Sequence, residues 1–218
     1  MDPAPEMTMR KWYPAVLVVT ASVMSLAAYS HLPDRVPIHW DWDWEPNGWA
    51  GRPYGAFLIP LVMLALTIMF RVLPGADPRK DNYEKFWTSY DLIVIAVVTL
   101  CFAIHCVSLG QALGLPLAME RVGPGLLGAF FIGIGNVFPR VRSNFWIGIR
   151  TPWSLSSDEN WARTQRVGGY LFVAAGVLLL ADAAAPGHWM NRIALGGAIA
   201  CVIGSVLFSY FASLNTES

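Results

Sequence analysis

The sequence contains few charged residues and few cysteines, and both shortages narrow the class of protein. Charged residues make up only 14% of the 218-residue chain, whereas soluble domains carry about a quarter. The net charge is zero, so no bulk field favours nucleic acid as a direct partner. The three cysteines have no CxxC spacing, which argues against a disulfide framework or a thiolate zinc site. What remains is an apolar chain, 55% hydrophobic, with a mean hydropathy of +0.46.

Apolar runs of about 17–25 residues, long enough for a helix to cross a bilayer core, recur along the chain. They predict an all-α polytopic membrane protein with six transmembrane helices, arranged as one membrane domain over residues 1–218. A cleaved signal peptide is not expected, because no small-residue cleavage site and soluble domain follow the first run. The predicted helices cover residues 13–30, 54–73, 88–113, 123–139, 167–184 and 192–212.

Arginine and lysine are distributed unequally between the two sides that six spans create. The side of the N-terminus receives 11 of them and the other side 4, and cytoplasmic loops carry such an excess. We therefore expect both termini and residues 140–166 to be cytoplasmic and residues 31–53 to be external. The larger group is Arg10, Lys11, Arg71, Arg79, Lys80, Lys85, Arg140, Arg142, Arg150, Arg163 and Arg166; the smaller is Arg35, Arg52, Arg121 and Arg192.

The longest polar stretch covers residues 145–166. Pro152 restricts Thr151 to an extended conformation, so residues 148–153 are predicted to form a turn and not a helix. Ser156 followed by Glu159 fits a capping box and predicts a helix that begins near Ser157. Trp153 and Trp161 are expected at the lipid boundary, where indole rings are enriched. Arg150 is expected to bond backbone carbonyls or carboxylates.

This stretch and its surroundings resemble the signature of the SdpI family of bacterial membrane proteins. The family has Gly-Asn before a basic loop, then Asn-x-x-x-Gly-Ile-Arg-Thr-Pro-Trp, and then a Trp-containing helix start before a glycine-rich span. Gln165 departs from the family, which usually has histidine there, but glutamine can still form hydrogen bonds. The matching positions are Gly135, Asn136, Asn144, Gly148, Ile149, Arg150, Thr151, Pro152, Trp153, Trp161, Thr164, Arg166, Gly168 and Gly169.

The N-terminal half is similar to the domain of unknown function that often precedes this signature, in "LPDRVPIHW" and in "DPRKDNYEKF". The resemblance implies a multi-pass protein of the bacterial inner membrane. The family's best-known role is immunity to a secreted toxic peptide, with signalling by holding a transcriptional repressor at the membrane. The implied partners are the lipid bilayer, a peptide toxin outside and a cytoplasmic regulator. The sequence leaves the oligomeric state open.

Residues 37–49 alternate between aromatic and polar side chains. In an extended chain, successive side chains point to opposite faces, so Trp40, Trp42 and Trp44 are predicted to share a face that lies at the membrane interface or caps the helices. The opposite face then carries one imidazole and three carboxylates, which are candidate ligands of a divalent metal ion. Their oxygen atoms suit Ca²⁺ or Mn²⁺, and the imidazole nitrogen suits a transition metal. A solvated acidic strand remains the alternative. The candidate ligands are His39, Asp41, Asp43 and Glu45.

Two ionisable residues, His105 and Asp182, fall within predicted spans. Such residues are costly in a membrane and usually face a partner or water. We expect either a hydrogen bond between the two or a polar pocket that they share with His39 and Asp41.

Three functions fit these features. The first is a receptor-like immunity or signalling protein, which rests on the resemblance. The second is a small transporter, although no inverted repeat is visible. The third is a metal-dependent enzyme that uses the external acidic face, although HExxH and GxSxG are absent. We favour the first. The residues proposed to line a transport path are Asp91, His105, Asp182 and Asn136.

Overall fold

The computed structural model describes residues 5–214, with side chains described from Trp12 onward. Its fold is all-α apart from one hairpin. The helices are α1 Pro5–Ala28, α2 Arg52–Ala76, α3 Trp87–Ala112, α4 Met119–Val137, α5 Pro152–Ser156, α6 Asp158–Ala184 and α7 His188–Leu214, and the strands are β1 Arg35–Trp40 and β2 Pro46–Gly51. Short 3-10 turns cover Tyr29–His31, Lys80–Lys85 and Phe138–Arg140.

Six helices in the described residues are long and apolar enough to cross a membrane, and this confirms the six predicted spans. The protein is thus a polytopic membrane protein. The helix predicted to begin near Ser157 is confirmed, because Ser157 is the N-cap of α6. The predicted domain bounds include residues 1–4 and 215–218, which lie outside the described part of the chain.

The connections between the long helices gather at two opposite ends of the bundle. One end, here called the hairpin end, carries β1, β2 and the α6–α7 junction. The other, here called the signature end, carries residues 77–86 between α2 and α3 and residues 138–157 between α4 and α6. Each of the two predicted polar loops therefore lies at its own end of the molecule.

Glycines allow α4 and α6 to pack closely. A Cβ on Gly135 would lie 2.6 Å from the carbonyl oxygen of Gly169, and one on Gly128 would lie 2.8 Å from that of Gly176. Any side chain at these positions would push the backbones apart, as at close helix crossings in membranes. The close contact between α4 and α6 therefore depends on glycine at these positions. The cysteines Cys101, Cys106 and Cys201 are unpaired thiols within α3 and α7.

The prediction of one extended segment through residues 37–45 is wrong, because the chain turns back at Asp41. The Oδ1 atom of Asp41 accepts hydrogen bonds from the amides of Asp43 and Glu45, at 2.9 and 3.0 Å. A short aspartate side chain can hold such a turn by bonding backbone groups that follow it. Trp44 then adopts a positive φ of 64°. The three tryptophans of this region therefore do not share one face.

Candidate functional site

The signature loop, residues 141–157, is shaped from within by Asn144. This side chain is fully buried. Its oxygen accepts from the amides of Trp146 and Ile147, at 2.8 and 2.7 Å. Its nitrogen donates to the carbonyls of Arg142 and Ile147, at 2.8 and 3.0 Å. An amide offers two donors and an acceptor, and here all of them hold the loop backbone.

Gln165 of α6 attaches the loop to the helix bundle. Its carbonyl oxygen accepts from the amide of Ile149 and its nitrogen donates to the carbonyl of the same residue, both at 3.0 Å. The prediction that glutamine can still bond at this position is confirmed. Gly148 has φ 109°, and a Cβ there would lie 2.8 Å from the Gln165 oxygen, so glycine is required for this approach.

The Arg-Thr-Pro-Trp segment begins a short helix. Thr151 is extended, as predicted, and is the N-cap of α5, while Pro152 occupies the first turn, where proline is favoured. The turn prediction is therefore wrong from Pro152 onward. The capping box lies between Thr151 and Ser154, not between Ser156 and Glu159. The Ser156 hydroxyl donates to the Trp153 carbonyl at 2.7 Å instead.

The expected lipid-boundary position is wrong for Trp161. This residue is only 2% exposed, and its indole N–H donates to the carbonyl of Val141 at 2.8 Å. A buried indole needs such an acceptor, and the loop supplies one that the sequence did not reveal. Trp153, in contrast, is 38% exposed and packs on Tyr210 with ring centres 5.0 Å apart.

The loop is also held against α7. The hydroxyls of Thr151 and Ser209 lie 2.8 Å apart, and the Asn160 amide donates to the carbonyls of Ser209 and Trp153 at 3.2 and 2.7 Å. Thr164 donates to Asn160 at 3.3 Å. The bonds to Ser209 join the signature loop and the start of α6 to the end of α7, and the bond from Thr164 orients the Asn160 side chain.

The remaining signature residues lie nearer the surface. Arg150 donates to the carbonyl of Phe145 at 2.5 Å, which confirms the expected backbone bond. Arg166 is exposed. Asn136 is exposed on α4 and donates to the Ile132 carbonyl of its own helix at 2.8 Å.

The structure adds a residue that the sequence analysis did not single out, Asp77 at the end of α2. Its carboxylate is 3% exposed and accepts from the Tyr83 hydroxyl and the Phe145 amide, both at 2.9 Å, and from the Arg79 amide at 2.7 Å. Burial, with the bond to Asp77, holds the pKa of Tyr83 well above its ordinary value, so the phenol stays a donor. Asp77 thus joins the link, residues 77–86, to the signature loop.

Arg79 and Asn82 extend this junction. Arg79 donates to the hydroxyl of Ser143 and to the carbonyl of Leu155, the latter at 3.0 Å, and its guanidinium lies 5.1 Å from the centre of the Phe145 ring. Asn82 donates to the Ser143 carbonyl at 2.8 Å. The usable signal was the polar "DPRKDNYEKF" segment, predicted to lie on the same side of the membrane as the loop.

At the hairpin end, tryptophans cap the helices. The Trp40 indole donates to Gln111 of α3 at 2.8 Å, and that of Trp44 donates to Asn191 of α7 at 3.2 Å. The Trp44 ring also occupies the space where Gly123 of α4 has no side chain. The predicted cap is confirmed for these two rings, whereas Trp42 is 64% exposed.

The structure does not bring the four candidate metal ligands together. His39 Nδ1 lies 2.6 Å from the Asn47 oxygen, Asp41 holds its own turn, and Asp43 lies 3.1 Å from His188. Glu45 donates its backbone amide to Asp41. Within the part of the chain that the structure describes, no three histidine, cysteine, aspartate or glutamate side chains are grouped to hold a metal ion.

The expected hydrogen bond between His105 and Asp182 is wrong. His105 Nε2 lies 3.1 Å from the Ser25 hydroxyl and 3.2 Å from the Ala21 carbonyl, both on α1. Asp182 borders a cavity with Asp43 and His188, so the expected pocket with His39 and Asp41 is also wrong. The long helices that carry the two residues do not pack mainly on each other. Helix α3 packs on α1, α2 and α4, whereas α6 packs on α4 and α7.

Two family models match the chain. The SdpI/YfhL protein family matches residues 140–213, and a domain of unknown function, DUF1648, matches residues 16–64. Immunity protein SdpI of Bacillus subtilis (strain 168) is 27% identical over 203 residues, which cover 93% of this chain and 95% of that protein. Uncharacterized membrane protein YbgB of the same organism is 28% identical over 87 residues, 40% of this chain and 86% of that protein. No solved structure matches.

Proposed function

We propose that this chain, which belongs to the SdpI/YfhL protein family, is an immunity protein that protects its cell against an envelope-active toxic peptide. The observation that carries this proposal is the match to Immunity protein SdpI along 93% of the chain. A match of that extent includes both polar ends of the bundle and not only the signature. Neither a transporter nor an enzyme is named among the relatives described above.

The orientation follows from the charge bias. The signature end faces the cytoplasm and the hairpin end faces outward, with both termini inside. Arg10 and Lys11, which contribute to the bias, have side chains outside the described part of the chain. The proposed location is the cytoplasmic membrane of a bacterium, where the hairpin end meets a peptide that arrives from outside.

The geometry supports a role for the signature end as a rigid platform. Asn144, Gln165 and Asp77 bond the loop backbone from three directions. A buried and fully bonded network of this kind fixes one conformation. A loop whose only role was to set the membrane orientation would require its arginines, but it would not require buried side-chain amides that fix its conformation.

A cavity beside this platform is lined by more basic than acidic residues. This cavity, of about 510 Å³, lies between the link and the 3-10 turn that follows α4, and Lys85, Arg140 and Arg142 are among its lining residues. All three are exposed. Such a surface suits an acidic segment of a cytoplasmic regulator, because clustered cations attract and orient carboxylates.

Expression in Bacillus subtilis that lacks its own immunity protein tests the proposal. Cells carrying this chain are expected to survive the cognate toxic peptide at concentrations that kill cells carrying the empty vector. An unrelated multi-pass protein expressed at the same level controls for membrane crowding. Equal killing of all three strains, with this chain present in the membrane, would refute the immunity role.

A further inference from the structure

A cavity of about 400 Å³ at the hairpin end has a chemistry that the immunity role does not explain. It lies between the turn of the hairpin, the first turn of α4 and the junction of α6 with α7. Three of its lining residues are acidic, one is a histidine and one is a tryptophan. They are Asp43, Glu120, Asp182, His188 and Trp44.

Asp182 is the unusual member of this lining. It is fully buried, and neither carboxylate oxygen has a hydrogen-bond partner among the described residues. It also lies in the last turn of α6, where the helix dipole disfavours negative charge, and that turn has no basic residue. Buried polar groups are almost always bonded, so these two oxygens mark a position that a ligand completes.

Three of the polar residues near Asp182, besides Glu120, are already engaged with other partners or with each other. Asn191 accepts from the Trp44 indole and donates to the Trp42 carbonyl. Asp43 pairs with His188 at 3.1 Å. Arg121 donates to the carbonyls of Ala183 and Ala184 at the end of α6. Asp182 is therefore left to face the cavity.

Charge and size define the ligand. The C-terminus of α6 and the N-terminus of α7 both border the cavity, so their opposite dipole ends offset each other and the three carboxylates make the site a cation site. Its volume exceeds that of a metal ion, and the described residues offer no group of metal ligands. Trp44 also lines the cavity, and indole rings attract organic cations. Trp44 also holds a positive φ of 64°, a strained conformation of the kind found at ligand clamps.

We propose that this cavity binds a primary ammonium group, with Asp182 as the hydrogen-bond acceptor and Glu120 at the mouth. The inference rests on the cavity alone and does not depend on the immunity role. An ammonium group reaches the outer face on free amines and also on phosphatidylethanolamine headgroups, and both satisfy the same chemistry.

The test uses the full chain in nanodiscs of phosphatidylcholine, which carries no primary ammonium. The probes are n-butylammonium and n-butanol, which have the same alkyl chain with and without the charge. Calorimetric titration is expected to show saturable binding of n-butylammonium only. Asp182→Asn is expected to weaken that binding about tenfold or more, since charge-assisted bonds are the strong ones. Asp81→Asn, an exposed carboxylate at the signature end, is the matched control and should change nothing.

A second set of nanodiscs contains phosphatidylethanolamine. Weaker apparent binding of n-butylammonium there would identify the lipid headgroup as an occupant, and unchanged binding would favour a free amine. Equal binding of the two probes by the parent chain overturns the proposal, as does an Asp182→Asn protein that binds like the parent. If Asp182→Asn fails to fold, Glu120→Gln takes its place, and unchanged binding by that variant overturns the proposal.

Discussion

Gln165 shows how one buried side chain can fix the conformation of a loop. Its amide matches the donor and the acceptor of Ile149 at once, and both backbone groups lie in a buried region. Asn144 does the same for the amides and carbonyls around it. In a helix or a strand, these backbone N–H and C=O groups would bond to other backbone groups. In the platform, the side-chain amides of Asn144 and Gln165 bond them instead.

Replacing Gln165 by leucine removes both bonds without changing the volume much. Each unpaired backbone group that stays buried costs roughly 1–3 kcal/mol, so we expect Gln165→Leu to lower the thermal unfolding midpoint clearly. Arg166→Leu is the control, because the neighbouring Arg166 is exposed. Equal midpoints for the two variants in detergent would show that the bonds to Ile149 do not stabilise the fold.

Tyr83 predicts a pH dependence. Its pKa is raised in the folded state by burial and by the bond to Asp77. A raised folded-state pKa means that the unfolded chain loses the proton first, so the stabilisation is complete below the ordinary value and declines above about pH 10. Tyr83→Phe should therefore lose stability near neutral pH, by about 0.5–1.5 kcal/mol, but show a weaker decline at alkaline pH than the parent.

Thermal midpoints between neutral and strongly alkaline pH measure this difference. Tyr54→Phe is the control, since Tyr54 is 73% exposed. A Tyr83→Phe protein that declines as steeply as the parent would assign the alkaline transition to other groups.

Among the helices, α4 and α6 are in contact through glycine. Gly135→Ala places a methyl group 2.6 Å from the Gly169 carbonyl oxygen, and we expect it to destabilise the bundle by about 1–3 kcal/mol, as overpacking does. Gly133→Ala on the same helix meets nothing within 4 Å and serves as the control. Unfolding in detergent should separate the two variants, and a Gly135→Ala midpoint equal to that of Gly133→Ala would mean that the helices adjust without strain.

The elements that the sequence predicted correctly are those coded by local pattern. Each long helix follows from an apolar run, and α6 begins where the polar residues before its apolar run predicted, although its cap is Ser157 and not Ser156. The failures concern partners distant in sequence. The burial of Trp161 depends on Val141, 20 residues away, and the failure of the His105–Asp182 pair depends on which helices are neighbours. The turn at Asp41 was missed because alternation of polar and aromatic residues outweighed the turn-forming aspartate.

At the scale of the whole molecule, the proposed orientation puts the hairpin end outside the cell and the signature end in the cytoplasm. The orientation can be tested in a chain whose three native cysteines are replaced by serine. Asn47→Cys introduces a thiol at the hairpin end, and Glu84→Cys introduces one at the signature end. Both positions are exposed. A membrane-impermeant maleimide is expected to label Asn47→Cys in intact cells and Glu84→Cys only after lysis. The reverse pattern would invert the proposed orientation and place the basic platform outside.

The whole molecule also depends on the junction between its two halves, which Arg79 forms with Ser143 and Leu155. The measurement is the survival of sensitive cells under the toxic peptide, for the parent, Arg79→Ala and Lys80→Ala at equal membrane levels. Lys80→Ala is the control, because Lys80 is the exposed neighbour of Arg79. The parent and Lys80→Ala are expected to protect, and Arg79→Ala to lose most of the protection. Full protection by Arg79→Ala would contradict the role of the platform, and killing of all three strains would contradict immunity itself.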